Sequence, residues 1–125
     1  MLIGKSFTFD AAHWLPDYNG PCGKLHGHTW KVKVEVEGDV NFETGMVLDL
    51  KVLKQIIAPI IEKLDHSVLN DALPIHWLPP TCENLCRFLK VAVVNSLTEL
   101  EISTTHLTRV TIQVQEGEGG WARTT

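Results

Sequence analysis

Three observations predict an α+β fold. Residues 28–38 and 107–116 alternate apolar and polar side chains, the period of a half-buried strand. Residues 49–64 and 81–100 repeat apolar side chains at helical spacing. With a further strand pattern at residues 2–14 and a short one at 121–123, the order is strand, strand, helix, helix, strand, strand. That order suits an antiparallel four-stranded sheet with two helices on one face.

Residues 2–14 are apolar and aromatic with partial alternation and read as the first strand. Residues 15–25 are dense in Pro, Gly, Asn and Asp, so they form a loop, and Cys22 lies in it. In the second strand Trp30, Val32, Val34 and Val36 face one way, and Lys31, Lys33, Glu35 and Glu37 face the other. A turn at Asn41 to Gly45 leads to the first helix. Leu50, Leu53, Ile56, Ile57, Ile60, Ile61 and Leu64 are its apolar stripe, Asp49 its N-cap, and Pro59 its expected kink or break. Residues 65–80, with Pro74, Pro79 and Pro80, read as irregular. Thr81 can cap a second helix running to about Leu100, with Leu85, Phe88, Leu89, Ala92, Val93, Leu97 and Leu100 as its core stripe. Gly117 to Gly120 is a turn before the last strand. So small a sheet has edges to protect, and closure of several sheets into an oligomeric barrel is one way to do it.

The length of 125 residues predicts one domain, 1–125, with one modest core. A 44% hydrophobic fraction fits a soluble globular protein, and the apolar stretch Ile56 to Ile61 is far too short to span a bilayer. The N-terminus lacks a signal-peptide layout, which points to the cytoplasm. Three cysteines argue against a disulfide framework and for reduced thiols. A net charge of −4 with no basic run argues against nucleic acid as a partner.

The chemistry concentrates in Cys22-Gly23-Lys24-Leu25-His26-Gly27-His28. On a strand, His26 and His28 share a face, and His13 on a paired strand can supply a third imidazole. Three protein ligands and one open position are the usual form of a catalytic zinc site, whereas four protein ligands are usually structural. An isolated His-x-His pair is more often packing or surface; His13 and Cys22 nearby raise its weight. Spacing leaves open whether Cys22 is a fourth ligand or a free nucleophile or base.

Other candidates are weaker one by one. His66 has the residue type of a general acid or base, yet by itself it reads as a helix-end histidine. Asp65 beside it is not expected to orient it, because sequence neighbours usually point apart. Thr81 and Glu83 open the second helix and read first as capping residues. Cys82 and Cys86, one turn apart, read as core. Glu116 ends a strand, where a carboxylate can accept paired N–H donors from a flat heterocycle; alone it is an ordinary surface residue. His76 and His106 receive no role.

Six motifs occur in a telling order: Phe9-Asp10-Ala11-Ala12-His13, Cys22-x3-His26-Gly27-His28, Gly45-Met46-Val47-x-Asp49, Leu64-Asp65-His66-x-x-Leu69-Asn70, Pro80-Thr81-x-Glu83-Asn84, and Glu116. Together they resemble the 6-pyruvoyl-tetrahydropterin synthase family over nearly the whole chain. The three residues between Cys22 and His26 resemble the 6-carboxy-5,6,7,8-tetrahydropterin synthases of queuosine biosynthesis in bacteria and archaea. The resemblance implies a T-fold in which trimers close a barrel and two trimers form a homohexamer. It implies zinc on His13, His26 and His28, and Cys22 as catalytic base or nucleophile. Asp65 and His66 become proton-transfer partners supplied by a neighbouring subunit. Glu116 becomes the anchor of the pterin ring, and Thr81 to Asn84, with Thr81 and Glu83, helps shape the pterin pocket. The implied substrate is 7,8-dihydroneopterin triphosphate, and the implied products are 6-carboxytetrahydropterin, acetaldehyde and triphosphate. Two departures stand out. The C-terminus lacks the Tyr often found after Ala122, and the cations for the triphosphate are unassigned, with Lys24 and Arg123 candidates by charge and position alone.

Overall fold

A computed structural model describes residues 1–125. Strands β1 (Leu2–His13) and β2 (His26–Gly38) are followed by helix α1 (Leu50–Leu64), strand β3 (Ser67–Val68), helix α2 (Leu69–Ala72), helix α3 (Cys82–Glu99), and strands β4 (Leu107–Glu116) and β5 (Gly120–Arg123). Short 3-10 turns lie at Pro21–Gly23 and Ile75–Trp77. The sheet order is β3-β1-β2-β4-β5. The pairings β1–β2, β2–β4 and β4–β5 are antiparallel, and β1–β3 is parallel.

The four-strand expectation is corrected to five. The added strand, β3, pairs only Ser67 and Val68 with Ala11 and Ala12. Two residues are too few to show an alternating pattern. The expected two helices gain a third, the single turn α2, within the stretch read as irregular.

The face of β2 that carries Trp30, Val32, Val34 and Val36 is fully buried under α1 and α3, together with Ile112 and Val114 of β4. Each such side chain stabilises the fold by about 1.5–3 kcal/mol relative to exposure. Pro59 does not break α1, which runs unbroken from Leu50 to Leu64. The ring sits on the exposed side, while Leu53, Ile56, Ile57, Ile61 and Leu64 are buried opposite it. Tertiary packing of that stripe holds the helix through the missing N–H. Both caps form as expected: Asp49 Oδ1 accepts the Lys51 N–H, and Thr81 Oγ1 accepts the Asn84 N–H. Leu100, expected in the core, lies past the end of α3 and is exposed.

Glu35 also departs from expectation. It sits on the outer face of the sheet yet is only 6% exposed. Arg123, arriving from β5, and Lys33 cover its carboxylate. Gly4 opposite leaves room for it, since a Cβ there would lie 2.8 Å from the Val34 carbonyl oxygen and 3.1 Å from Glu35 Cγ. The outer edge of β1 from Leu2 to Asp10 has no strand partner, because β3 reaches only Ala11 and Ala12. No helix is long and apolar enough to cross a membrane.

Candidate active site

Strand register assembles the histidines. His13 lies opposite His26, and Ala11 lies opposite His28. All three imidazoles point to the helix-covered face, with ring centroids 4.6, 5.3 and 4.7 Å apart for the pairs 13–26, 13–28 and 26–28. Glu116 lies opposite Trp30 on the other side of β2 and points to the same face. One ligating atom from each of His13, His26, His28 and Glu116 falls within 4.8 Å of the others. The indole of Trp30 is the floor beneath His13 and His28, and its N–H is satisfied by the Ala11 carbonyl at 3.1 Å.

The ring orientations are set from behind. His13 Nδ1 lies 2.8 Å from the Pro80 carbonyl oxygen, and His26 Nδ1 lies 2.6 Å from that of Lys24. A carbonyl only accepts, so Nδ1 carries the proton and Nε2 presents its lone pair to the cluster. Burial holds the His13 pKa below the usual range, against the opposing pull of the Pro80 carbonyl and Glu116. At neutral pH it is a neutral, ligand-competent imidazole. The Nε2 atoms of His13 and His28 are buried without a hydrogen-bond partner. Orphaned buried nitrogens are costly unless something binds them. Two of them facing a third imidazole and a carboxylate suit a divalent metal ion. Asn70 secures the strand end: its side-chain amide accepts from Trp14 N and donates to Trp14 O, each at 3.0 Å.

Cys22 occupies the turn Pro21–Gly23 and is half-buried. Leu15 N donates to its carbonyl at 2.9 Å, tying the loop to the end of β1. Gly23 makes that turn possible, because a Cβ there would meet the Tyr18 carbonyl oxygen at 2.4 Å. The thiol is not part of the four-donor group; the fourth donor is Glu116.

Asp65 and His66 are in contact, contrary to the expectation that they point apart. Asp65 Oδ1 lies 3.0 Å from His66 Nδ1. His66 has φ of 58°, a left-handed conformation that folds its ring back onto its neighbour. Asp10 anchors the pair: its N–H donates to Asp65 Oδ1 at 2.9 Å, and its carbonyl accepts from His66 N at 2.6 Å. The Asp10 N–H, and then the His66 ring, hold the Asp65 carboxyl below its ordinary pKa. The Thr29 hydroxyl in turn donates to the Asp10 carboxylate at 2.5 Å. The His66 side chain is 81% exposed. It opens on a shallow groove of about 620 Å³ lined by Asp10, Ala12, Gly27, Thr29 and Ser67, and reached also by His28. Asp10, Ala12, Gly27 and Thr29 alternate away from the histidine face. Asp65 and His66 group with Asp10, and neither belongs to the four-donor group of His13, His26, His28 and Glu116.

Thr81 is engaged as the cap of α3, and Glu83 is exposed in its first turn. Cys86 is buried as expected, and burial pushes its thiol up to about 11. Cys82, also read as core, is instead half-buried with Sγ 3.9 Å from Glu116 Oε2. Burial, and then Glu116, push its thiol up to about 12. Sequence spacing missed this neighbour of Glu116, because it depends on how α3 docks over β4. Of the two candidate cations, Lys24 is exposed beside His26, whereas Arg123 is engaged by Glu35 on the outer face. His106 is structural, with Nε2 2.7 Å from the Val47 carbonyl oxygen.

Comparison with known proteins agrees with this geometry. The sequence profile of the family described as "6-pyruvoyl tetrahydropterin synthase" matches residues 2–125. A protein of Archaeoglobus fulgidus, provisionally named a 6-carboxy-5,6,7,8-tetrahydropterin synthase, is 38% identical over 122 residues, covering 98% of this chain and 93% of its own. The 6-carboxy-5,6,7,8-tetrahydropterin synthase of a Synechocystis species is 41% identical over 93 residues, 70% of each chain. Among solved structures, the 6-pyruvoyl tetrahydropterin synthase of Caenorhabditis elegans superposes with a TM-score of 0.81 at 21% identity, covering 99% of this chain and 94% of that one. At that identity the likeness establishes a shared fold. On the profile match and the relatives together, the chain belongs to the 6-pyruvoyl tetrahydropterin synthase family.

Proposed function

We propose that this protein is a zinc-dependent lyase that converts 7,8-dihydroneopterin triphosphate and one water to 6-carboxy-5,6,7,8-tetrahydropterin, acetaldehyde and triphosphate, in queuosine biosynthesis in the cytoplasm. The observation that carries the proposal is the convergence of three imidazole Nε2 atoms, two of them buried and unpartnered, with the Cys22 thiol outside the donor group. The names of the relatives at 38% and 41% identity support the choice of reaction.

His13, His26 and His28 hold the metal. A bound zinc supplies Lewis acidity toward the oxygens of the substrate side chain. Cys22 removes a proton from the carbon next to the pterin ring. Glu116 receives the amino and N–H edge of the ring as a charge-assisted pair. Thr81 and Glu83, at the start of α3, help to shape the ring pocket. His66, oriented by Asp65, exchanges a proton with the side chain elsewhere; triphosphate leaves by elimination, and addition of one water with cleavage of a side-chain carbon–carbon bond releases acetaldehyde.

Asp65 and His66 stand outside the four-donor group of their own chain, which supports the reading that they serve the site of a neighbouring copy. The unpaired edge of β1 suits the same arrangement, a barrel of three chains paired into a homohexamer.

The test is one incubation of the zinc-loaded protein with 7,8-dihydroneopterin triphosphate, with product masses measured and acetaldehyde trapped. Carboxytetrahydropterin with acetaldehyde supports the reading. A pyruvoyl product moves the chain to the other branch of the family, and intact substrate in the presence of bound zinc refutes the enzyme reading for this substrate.

A further inference from the structure

Glu116 Oε1 lies inside the histidine cluster, 2.8 Å from His28 Nε2 and 3.9 Å from His13 Nε2. The short contact to His28 is out of line for a hydrogen bond, so that nitrogen remains without a partner. Simple pairing of an imidazole with a carboxylate therefore does not account for where the carboxylate sits. Tetrahedral coordination does. Ligands about 2.0–2.1 Å from zinc stand about 3.3 Å from one another, and the two observed separations bracket that value. The Glu116 side chain is 29% exposed, so it can also turn outward. Its second oxygen faces Cys82 Sγ at 3.9 Å, a weak partner that is easily given up.

We infer that Glu116 closes the fourth position of the metal site while no pterin is bound, and opens it when the pterin ring takes the carboxylate away. The inference rests on the proposed metal site and deepens it. One carboxylate then serves two acceptors in turn. Bound metal and bound ring compete for it, so each weakens the other by the same factor. The open position that substrate chemistry needs is created by binding of the substrate's own ring. Before that, the metal is sealed by four protein ligands, as in a structural site.

Cobalt(II) replaces the metal for the test, because its visible absorption bands report its ligands. Thiocyanate is the probe for an open position, and pterin without a side chain is the probe for the ring. In the wild-type cobalt protein, thiocyanate is expected to leave the bands unchanged until the side-chain-free pterin is added, and then to shift them. In Glu116→Ala, thiocyanate is expected to shift the bands with no pterin present. The metal affinity of that variant, measured by chelator competition, is expected to fall about tenfold or more. A thiocyanate shift in the wild-type protein alone, or unchanged affinity in the variant, overturns the inference while leaving the three-histidine site standing. A wild-type protein that binds no cobalt overturns the metal reading itself. If Glu116→Ala does not fold, the wild-type titration decides alone: saturating pterin, with its binding followed by its own fluorescence, either opens the site to thiocyanate or refutes the inference.

Discussion

The His13 imidazole donates its Nδ1 proton to the carbonyl oxygen of Pro80, 67 residues further along the chain, at 2.8 Å. The bond ties the end of β1 to the entrance of α3, and it aims Nε2 at the cluster. His13 is 1% exposed, so it is part of the core as well as part of the site. His26 is half-exposed, and its Nδ1 partner is only two residues away. The two histidines should therefore separate in their effects. His13→Ala leaves a cavity and an orphaned carbonyl, and is expected to cost the metal-free protein about 2–4 kcal/mol. His26→Ala should cost it less than about 1 kcal/mol. Both should lose tight metal binding. Urea unfolding of the metal-free variants checks this, and equal costs would show that His13 has no structural share.

Cys22 lies outside the four-donor group of His13, His26, His28 and Glu116. Cys22→Ala is accordingly expected to keep a full equivalent of zinc after dialysis while turnover falls by about 10²–10⁴-fold, the range of a lost proton-transfer group. Zinc content and single-turnover rate are measured on the same sample. Loss of the zinc would make Cys22 a ligand and the site a closed one.

Because His66 stands outside the histidine donor group of its own chain, a site shared between copies makes a mixing prediction. His66→Ala and Cys22→Ala should each be inactive. Refolded together in equal amounts, they should recover about a quarter of wild-type activity, since a good site needs an intact Cys22 from one chain and an intact His66 from its neighbour. No recovery in demonstrably mixed oligomers would place both residues in the service of one chain.

Much of this arrangement is legible in the residues, and what is not legible has identifiable causes. Val32, Val34 and Val36 announce a strand because a half-buried strand has period two, and the same period puts His26 beside His28. The β3 pairing is hidden because two residues carry no period. The contact between Asp65 and His66 depends on one left-handed φ, which sequence does not mark at a histidine. The approach of Glu116 to His28 depends on the register that sets Glu116 against Trp30, and that register is a property of the assembled sheet. Pro59 misleads because a local breaker is overridden by five buried neighbours on the other side of its helix.

Glu35 shows how burial can arise on a face that alternation assigns to water. Its carboxylate is paired with Lys33 Nζ at 2.7 Å and with the Arg123 guanidinium. The hydrogen bond from Lys33, aided by Arg123 and opposed by burial, holds its pKa below the usual 4.5. A carboxylate with a lowered folded pKa binds fewer protons folded than unfolded. Its stabilisation is therefore complete above about pH 4.5 and is lost as pH falls through the lowered value. Glu35→Gln is expected to be less stable than wild type by about 1–2 kcal/mol at pH 7, the worth of a charge-assisted hydrogen bond near the surface. As the pH is taken below 4.5, the wild-type protein should lose stability faster and the gap should close. Denaturation midpoints measured across that range decide the matter: a gap that stays constant into acid would mean that the carboxylate contributes packing and not charge, and that Arg123 is held on the outer face by something other than Glu35.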